Sequence, residues 1–459
     1  MAFSLSIRPD LAKRILAMAM PVVFAMGLQT ILNQVDHILV GRLPIAEATA
    51  GQSALQASLV ILWLVGGSLS AISVGTQAMT ARRMGAASHH EAGRIFSNSL
   101  AVAAVTSVIA AVISWILVPY LAPIFMKEPS VVALGVPYLK WRMLGVVSMV
   151  TTASCKSWFD GIGRTRLHLY AAVVMNIVNF VLAYGLIFGE LGMPRMGVEG
   201  VGVASMVSSF VGLFVMVGFA LGPRVRREYR IWHASNLDGR IMKELVKLSA
   251  PGGLATVFVM SGVYVFFWIV TELDLRAGHG PIYAGATANV ITIALLTFMI
   301  SLAFGTGTAT LVSQSLGAKR PDLAADYGWE AVRLGVYFFT AVGILVIVAP
   351  AWVLSLWTHD PKVVEVAIPI LRLVGLMEPC IVAAFVLTQA LFGAGNTRFV
   401  MVVEFVLHFT CLVPLAYLFG LVLDFAIFGV FAAAVIYIVL LMLLMGWKFR
   451  SGDWKAIQI

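Results

Sequence analysis

The chain has 459 residues, of which 60% are hydrophobic and only 12% are charged, and its mean hydropathy is +0.95. Soluble domains contain about 25% charged residues, so this composition excludes a soluble globular protein, and the long apolar runs exclude a disordered one. The 31 Lys and Arg exceed the 22 Asp and Glu and give a net charge of +9. In a membrane protein such an excess is first a signal of topology, not of nucleic-acid binding.

Apolar runs of helical length, each separated from the next by a short polar or Gly/Pro segment, follow one another along the whole chain. A helix that crosses a bilayer uses about 20 such residues. We therefore predict an all-α integral membrane protein with twelve transmembrane helices, at residues 15–40, 54–81, 95–121, 132–160, 167–189, 198–222, 245–271, 283–315, 329–357, 363–393, 399–422 and 427–447. The three cysteines, Cys155, Cys380 and Cys411, lie inside these runs, and we interpret them as small core residues, not as disulfides or metal ligands.

The cations are distributed unevenly between the two sets of loops. If the N-terminus is cytoplasmic, 22 of the 31 Lys and Arg fall on the cytoplasmic side and only five fall on the outer side. The remaining four, Lys140, Arg142, Lys156 and Arg372, lie within spans. The positive-inside rule thus predicts a multi-pass protein of the cell (inner) membrane with both termini in the cytoplasm.

The sequence also repeats itself with a shift of 232 residues. Gly75-Thr76 recurs as Gly307-Thr308, and the Gly-x-Gly-x-Thr-Arg turn at 161–166 recurs at 393–398. We predict two parallel six-helix repeats around a central cleft, with an N-terminal lobe at 1–222, a basic cytoplasmic linker at 223–244 and a C-terminal lobe at 245–459.

Two such bundles can rock between inward and outward openings, which favours a transporter that works by alternating access. The sequence has no nucleotide-binding motif and no paired catalytic constellation. We therefore expect no enzyme activity, no cofactor and no metal site. A channel or passive facilitator is a second possibility, although no filter loop is visible.

Several polar and glycine-containing segments together resemble the multidrug and toxic-compound extrusion (MATE) transporters, over nearly the whole chain. They are Pro21, Gln29-Thr30, Asn33, Val35-Asp36 and Val40-Gly41-Arg42-Leu43 in helix 1, Gly305 to Ala318, and the two glycine turns. The resemblance implies export of amphipathic, often cationic, compounds by exchange for H⁺ or Na⁺. It also leaves open a lipid-linked oligosaccharide flippase of the same broader superfamily, since four cations lie within spans.

A carboxylate inside a span needs a reason, because burying its charge costs several kcal/mol. Asp36 falls on the cation site that the resemblance implies for the N-terminal lobe, and Asn33 and Asn179 are expected to share it. Common bacterial members have an Asp four residues after this Asn, where this chain has Ala183. Fewer oxygens then remain for a sodium ion, so we favour H⁺ over Na⁺ as the coupling ion.

Three further polar residues form a predicted substrate or second charge site in the C-terminal lobe: Glu378, Glu404 and His408. Glu378 precedes Pro379, where a missing backbone donor can leave a local break in the helix. Its alternative role is to pair with Arg372 or Lys140. Glu404 and His408 are spaced i, i+4 and share a helix face, which suits either a proton relay or a self-satisfied pair. As partners we expect small amphipathic cations and membrane lipids, and no nucleic acid, and we expect the protein to be a monomer.

Overall fold

The computed structural model describes residues 6–126, 128–278, 280–358 and 360–459, apart from the side chains of Asn33 and Ala234. All regular secondary structure within these ranges is helical. Twelve helices are long and apolar enough to cross a membrane: α1 Pro9–Val40, α2 Ile45–Gly85, α3 His89–Phe125, α4 Pro129–Gly161, α5 Arg166–Phe188, α6 Val198–Leu221, α7 Gly239–Ala277, α8 Ile282–Gly317, α9 Pro321–Val348, α10 Pro361–Gly393, α11 Thr397–Val422 and α12 Ala426–Ser451. The predicted fold class and the number of spans are confirmed.

Some predicted helix ends are wrong. The run at 329–357 is interrupted, because α9 ends at Val348 and a separate short helix, Pro350–Ser355, follows it. Pro350 has no backbone N–H and its ring clashes with the preceding turn, so it begins a new helix even though the apolar run continues. Two helices also begin earlier than predicted: α3 begins at His89 and not at residue 95, and α7 begins at Gly239 and not at residue 245.

The chain divides by contact into two compact units. The first unit is Phe24–Thr256, and the second unit combines the residues up to Val23 with Val257–Gln458. Contact thus places the boundary inside α1 and α7, whereas the lobes predicted at 1–222 and 245–459 follow the sequence repeat and stay a prediction. Each boundary lies soon after a proline, Pro21 in α1 and Pro251 in α7. A proline inside a helix removes one backbone hydrogen bond and permits a kink.

In the first unit α4 is the central helix, since it packs against α2, α3 and α6. The first part of α7 joins this unit through a close contact with α2. A Cβ atom added at Gly75 would lie 2.9 Å from the carbonyl oxygen of Leu245, and the Gly75 N–H faces the Ser249 hydroxyl at 3.3 Å. Glycine is therefore required at position 75 for the two backbones to approach.

In the second unit α10 has the corresponding central place, packed against α8, α9 and α12. The first part of α1 joins this unit, where Leu11 and Ile15 belong to its apolar core. Gly307 of α8 faces α1, and an added Cβ would lie 2.9 Å from the backbone nitrogen of Ala19. Gly75 and Gly307 are the repeated glycines of the sequence. Gly75 lets the first part of α7 pack closely in the first unit, and Gly307 lets the first part of α1 pack closely in the second unit.

Candidate functional site

Asp36 lies in the C-terminal half of α1, in the first unit, and its side chain is buried. The Ser205 hydroxyl on α6 faces its Oδ2 atom at 3.4 Å. The Asn179 amide on α5 donates to the hydroxyls of Ser205 and Ser208 at 3.3 Å. Asp36 and Asn179 therefore both contact the Ser205 hydroxyl, which the prediction did not include.

Two oxygen atoms of this cluster have no hydrogen-bond donor among the side chains and backbone that the structure describes. They are Oδ1 of Asp36 and Oδ1 of Asn179, and both are buried. Buried polar atoms are nearly always hydrogen-bonded, and a buried carboxylate oxygen without a donor is costly. The cluster has acceptor oxygens in excess, which is the property of a site that receives a proton or a cation.

A small pocket opens beside Asp36, lined by His37, Leu55, Leu59, Tyr138 and Arg142 as well as Asp36 itself. Its cavity volume is about 10 Å³, enough for about one water molecule. Arg142 forms no salt bridge with Asp36, and its guanidinium lies 6.0 Å from the centre of the Tyr138 ring. The pocket therefore holds one carboxylate and one guanidinium that face the same space without direct contact.

A close approach between α4 and α6 positions this cluster. A Cβ added at Gly202 on α6 would lie 2.7 Å from the carbonyl oxygen of Tyr138 on α4. Three residues farther along α6, Ser205 reaches Asp36. A residue larger than glycine at position 202 would force α4 and α6 apart. Asn33, the third predicted member of the cluster, lies outside the described side chains.

The second unit contains a buried cluster around Glu404 on α11. The Tyr437 hydroxyl on α12 donates to Glu404 Oε2 at 2.8 Å, and His408 Nδ1 lies 3.4 Å from the same atom and 2.8 Å from the Glu404 carbonyl oxygen. The predicted contact between Glu404 and His408 is present. The π-helical segment Leu407–Leu412 contains His408, and such segments are frequent at functional sites.

Glu378 lies apart from that cluster, on α10 of the second unit. It is buried, its Oε2 atom has no donor, and the Thr297 hydroxyl on α8 lies beside it. Arg372 is exposed on the same helix, and neither side chain takes part in a salt bridge within the described chain. The alternative pairing of Glu378 with Arg372 is therefore not formed.

No group of three or more His, Cys, Asp or Glu side chains that could hold a metal ion occurs among the residues described. The three cysteines are free thiols. The polar clusters consist instead of single carboxylates with hydroxyl, amide or imidazole neighbours. Such groups are suited to binding a proton or a single organic or inorganic cation.

A family model described as MatE matches residues 21–185 and 253–418. The two matches begin 232 residues apart, which is the shift of the internal repeat, and together they include most of the chain. The chain belongs to the MatE family. This confirms the prediction that the protein is a MATE transporter and not an enzyme.

Full-length relatives of this MatE protein carry similar names. A protein from Thermotoga maritima called "Probable multidrug resistance protein NorM" is 25% identical over 97% of this chain and 94% of its own length. "Multidrug resistance protein PmpM" of Pseudomonas aeruginosa is 24% identical over 91% of this chain and 85% of its own length. The MatE protein is thus similar to multidrug resistance proteins over most of its length.

Solved structures show the same fold. An outward-facing multidrug resistance MATE family transporter has a TM-score of 0.86 at 18% identity and covers 96% of this chain, with 97% of its own chain matched. A transporter of the MOP superfamily from Pyrococcus furiosus, described as having a binding pocket of reverse polarity, also has a TM-score of 0.86, at 18% identity, with 96% of this chain and 95% of that chain covered. These likenesses establish the twelve-helix architecture of this MatE protein.

The hydroxyl partners of Asp36 and Glu404 occupy equivalent positions in the two repeats. Ser205 on α6 faces Asp36, Tyr437 on α12 faces Glu404, and the two positions are 232 residues apart. Sequence reasoning missed both of them, along with the place of Arg142 beside Asp36. A polar residue within an apolar span is the sequence feature that could have indicated these positions, but nothing in the sequence says which carboxylate each one faces.

Proposed function

We propose that this MatE protein is a secondary antiporter that exports amphipathic organic cations from the cell in exchange for protons, with Asp36 as the coupling carboxylate. The observation that carries the proposal is the Asp36 cluster, in which a buried carboxylate has one oxygen without a donor. Protonation converts this oxygen into a hydroxyl group and removes the buried charge. Loss of the proton restores the charge and the unpaired oxygen, so the two protonation states differ in their interaction with the surrounding helices.

The choice of proton over sodium rests on the groups that line the pocket. A bound sodium ion exchanges its water shell for several oxygen ligands, as metal cations do in selective sites. Arg142 already places a positive charge in the Asp36 pocket, which has room for about one water molecule. A second, permanent cation would be repelled there. A proton becomes part of the carboxyl group and needs no further ligands.

The substrate class follows from the relatives and from the interior of the chain. Relatives of similar length are named multidrug resistance proteins. The second unit contributes a buried carboxylate with an unpartnered oxygen, Glu378, and it has aromatic pairs such as Phe298–Phe385. Carboxylates and aromatic faces attract flat organic cations. We therefore propose amphipathic cations as the exported compounds, with both termini of the protein in the cytoplasm of the cell and the spans in its inner membrane.

Purified protein in liposomes tests the coupling ion directly, with ethidium as the flat cationic probe and the membrane potential clamped. An imposed pH gradient alone is expected to drive uphill ethidium accumulation, whereas an imposed sodium gradient alone is expected to drive none. Robust accumulation under sodium alone would overturn the proton assignment. Ethidium that only equilibrates under either gradient would indicate a passive facilitator, and ethidium that does not move would leave the flippase as the better hypothesis.

The orientation has its own test in a variant without the native cysteines. A cysteine at position 276, next to the α7–α8 connection, is expected to react with an impermeant thiol reagent in intact cells. A cysteine at position 230, between α6 and α7, is expected to react only in inverted vesicles. The opposite labelling pattern would refute the cytoplasmic placement of the termini.

A further inference from the structure

A cavity of about 650 Å³ lies after the end of α6, in the first unit. It is lined by Leu221, Pro223, Arg226, Arg227, Arg230 and His233. Three of these six residues are arginines with exposed side chains. The cavity is therefore a concave surface of strongly positive charge, and the antiport cycle proposed above makes no use of it.

The short helix Pro223–Tyr229 carries Arg226 and Arg227, and Arg230 follows its last residue; the opposite side of the helix is anchored in the protein. Val225 and Tyr229 are 5% and 2% exposed and belong to an apolar cluster with residues of α3, α4 and α6. The Tyr229 ring packs edge-on against Trp158 with 5.1 Å between centroids. At Gly93 on α3, an added Cβ would collide with the Tyr229 carbonyl oxygen. The arginines are thus carried on a firmly seated element.

Arg230 is held in a fixed and unusual conformation. Its φ angle is 49°, in the left-handed region that non-glycine residues seldom adopt. The Asn236 amide donates to the Arg230 carbonyl oxygen at 2.8 Å, and Asn98 on α3 donates to the carbonyl oxygen of Asn236 at 2.7 Å. Arg230 caps the helix Pro223–Tyr229, and a left-handed residue at this position ends the helix. The backbone at Arg230 is therefore held by a chain of hydrogen bonds, and its side chain lines the cavity.

None of the three guanidinium groups has an acidic partner among the residues that the structure describes. The nearest acidic residue in sequence, Glu228, is engaged elsewhere: Arg164 lies 3.1 Å from one of its oxygens and His89 lies 3.2 Å from the other. None of the three arginines that line the cavity takes part in a salt bridge in the part of the chain described here. The cavity therefore has an uncompensated charge that an anion would neutralise.

The position of the cavity identifies the kind of anion. Leu221 is the last residue of the membrane-spanning helix α6, it is 52% exposed, and it forms part of the cavity wall. One side of the cavity thus reaches the apolar layer while the arginines lie just beyond it. Guanidinium groups bind phosphate oxygens in a bidentate manner. A ligand with a phosphate group and an adjoining acyl chain matches both sides.

We propose that the cavity bounded by Leu221, Arg226, Arg227 and Arg230 is a binding site for the headgroup of an anionic phospholipid of the cytoplasmic leaflet. The phosphate is held by the three guanidinium groups, and the first part of an acyl chain lies against Leu221. This site is separate from the Asp36 cluster and does not depend on which ion drives export, whereas its place in the cytoplasmic leaflet rests on the orientation proposed above.

Native mass spectrometry of the full-length protein in detergent tests the site, with phosphatidylglycerol and phosphatidylcholine of equal chain length as probes. Wild-type protein is expected to bind phosphatidylglycerol at least tenfold more tightly. The variant Arg226→Gln/Arg227→Gln/Arg230→Gln is expected to lose this preference, because each arginine near an anionic surface contributes about fivefold. Arg224→Gln is the matched control: Arg224 is exposed on the same short helix but does not line the cavity, and its replacement is expected to keep the preference.

Three results would overturn the proposal. Equal binding of the two lipids by wild-type protein would show that the cavity does not select an anionic headgroup. An equal loss in the Arg224→Gln control would show that diffuse surface charge, not the cavity, attracts the lipid. Full competition by millimolar inorganic phosphate would show that the cavity binds free phosphate and that the acyl chain contributes nothing. The triple variant must also unfold at the wild-type temperature in detergent, and since all three side chains are exposed we expect that it does.

Discussion

We expect Asp36→Asn to abolish proton-driven export and to leave the fold intact. Asparagine has the size of aspartate and keeps an acceptor oxygen for the Ser205 hydroxyl, which faces Asp36 Oδ2 at 3.4 Å. It also removes a buried charge whose second oxygen has no donor, so the stability of the first unit is not expected to fall. The amide cannot take up and release a proton at physiological pH.

The size of the effect follows from the single carboxylate in the cluster. One proton that crosses a gradient of one pH unit releases about 1.36 kcal/mol, which supports about tenfold accumulation of a monovalent cation at a one-to-one exchange. With the potential clamped, the Asp36→Asn protein is expected to equilibrate the probe, so that the accumulation ratio falls from about ten to about one.

The assay is ethidium accumulation in liposomes with a pH gradient of one unit. Glu199→Gln is the matched control, because Glu199 lies on α6 of the same unit and accepts a hydrogen bond from the Trp141 indole at 2.8 Å. Glutamine keeps that acceptor, so this variant loses a carboxylate and is expected to retain export. Undiminished accumulation by a well-folded Asp36→Asn protein would refute the reasoning, and Glu378 or Glu404 would become the next candidate for the coupling residue.

Two further predictions concern the packing of the two clusters. Gly202→Ala is expected to lower the stability of the protein in detergent by about 1–3 kcal/mol, because the new Cβ would lie 2.7 Å from the Tyr138 carbonyl oxygen. Gly218→Ala on the same helix has open space around it and should not destabilise, so an equal change in the two unfolding temperatures would contradict the model of close packing. Tyr437→Phe removes the donor to Glu404 and is expected to cost about 0.6 kcal/mol, the average for hydrogen bonds between membrane helices, and at most about 1.7 kcal/mol. An unfolding temperature unchanged from wild type would show that His408 alone satisfies Glu404.

The features that the sequence predicted are those that depend on local composition or spacing. Twelve apolar runs predict twelve spans because a helix in lipid satisfies its own backbone hydrogen bonds. The contact between Glu404 and His408 follows from their i, i+4 spacing on one helix. The repeat is visible because equivalent packing positions, such as Gly75 and Gly307, need the same small residue. The helix break before Pro350 also depends on a local feature, the proline itself, but the prediction missed it because the apolar run continues through this position.

What only the tertiary structure decided is which distant side chains meet. Ser205 is 169 positions from Asp36, and Tyr437 is 33 positions from Glu404; the contacts depend on how α1, α6, α11 and α12 pack. In a membrane the apolar faces of helices are all equally compatible with lipid, so hydropathy identifies the spans but not their neighbours. For the same reason the exchange of half of α1 and half of α7 between the two units left no hydropathy signal. Small residues at close contacts determine that arrangement, and their partners are defined only when the helices are packed.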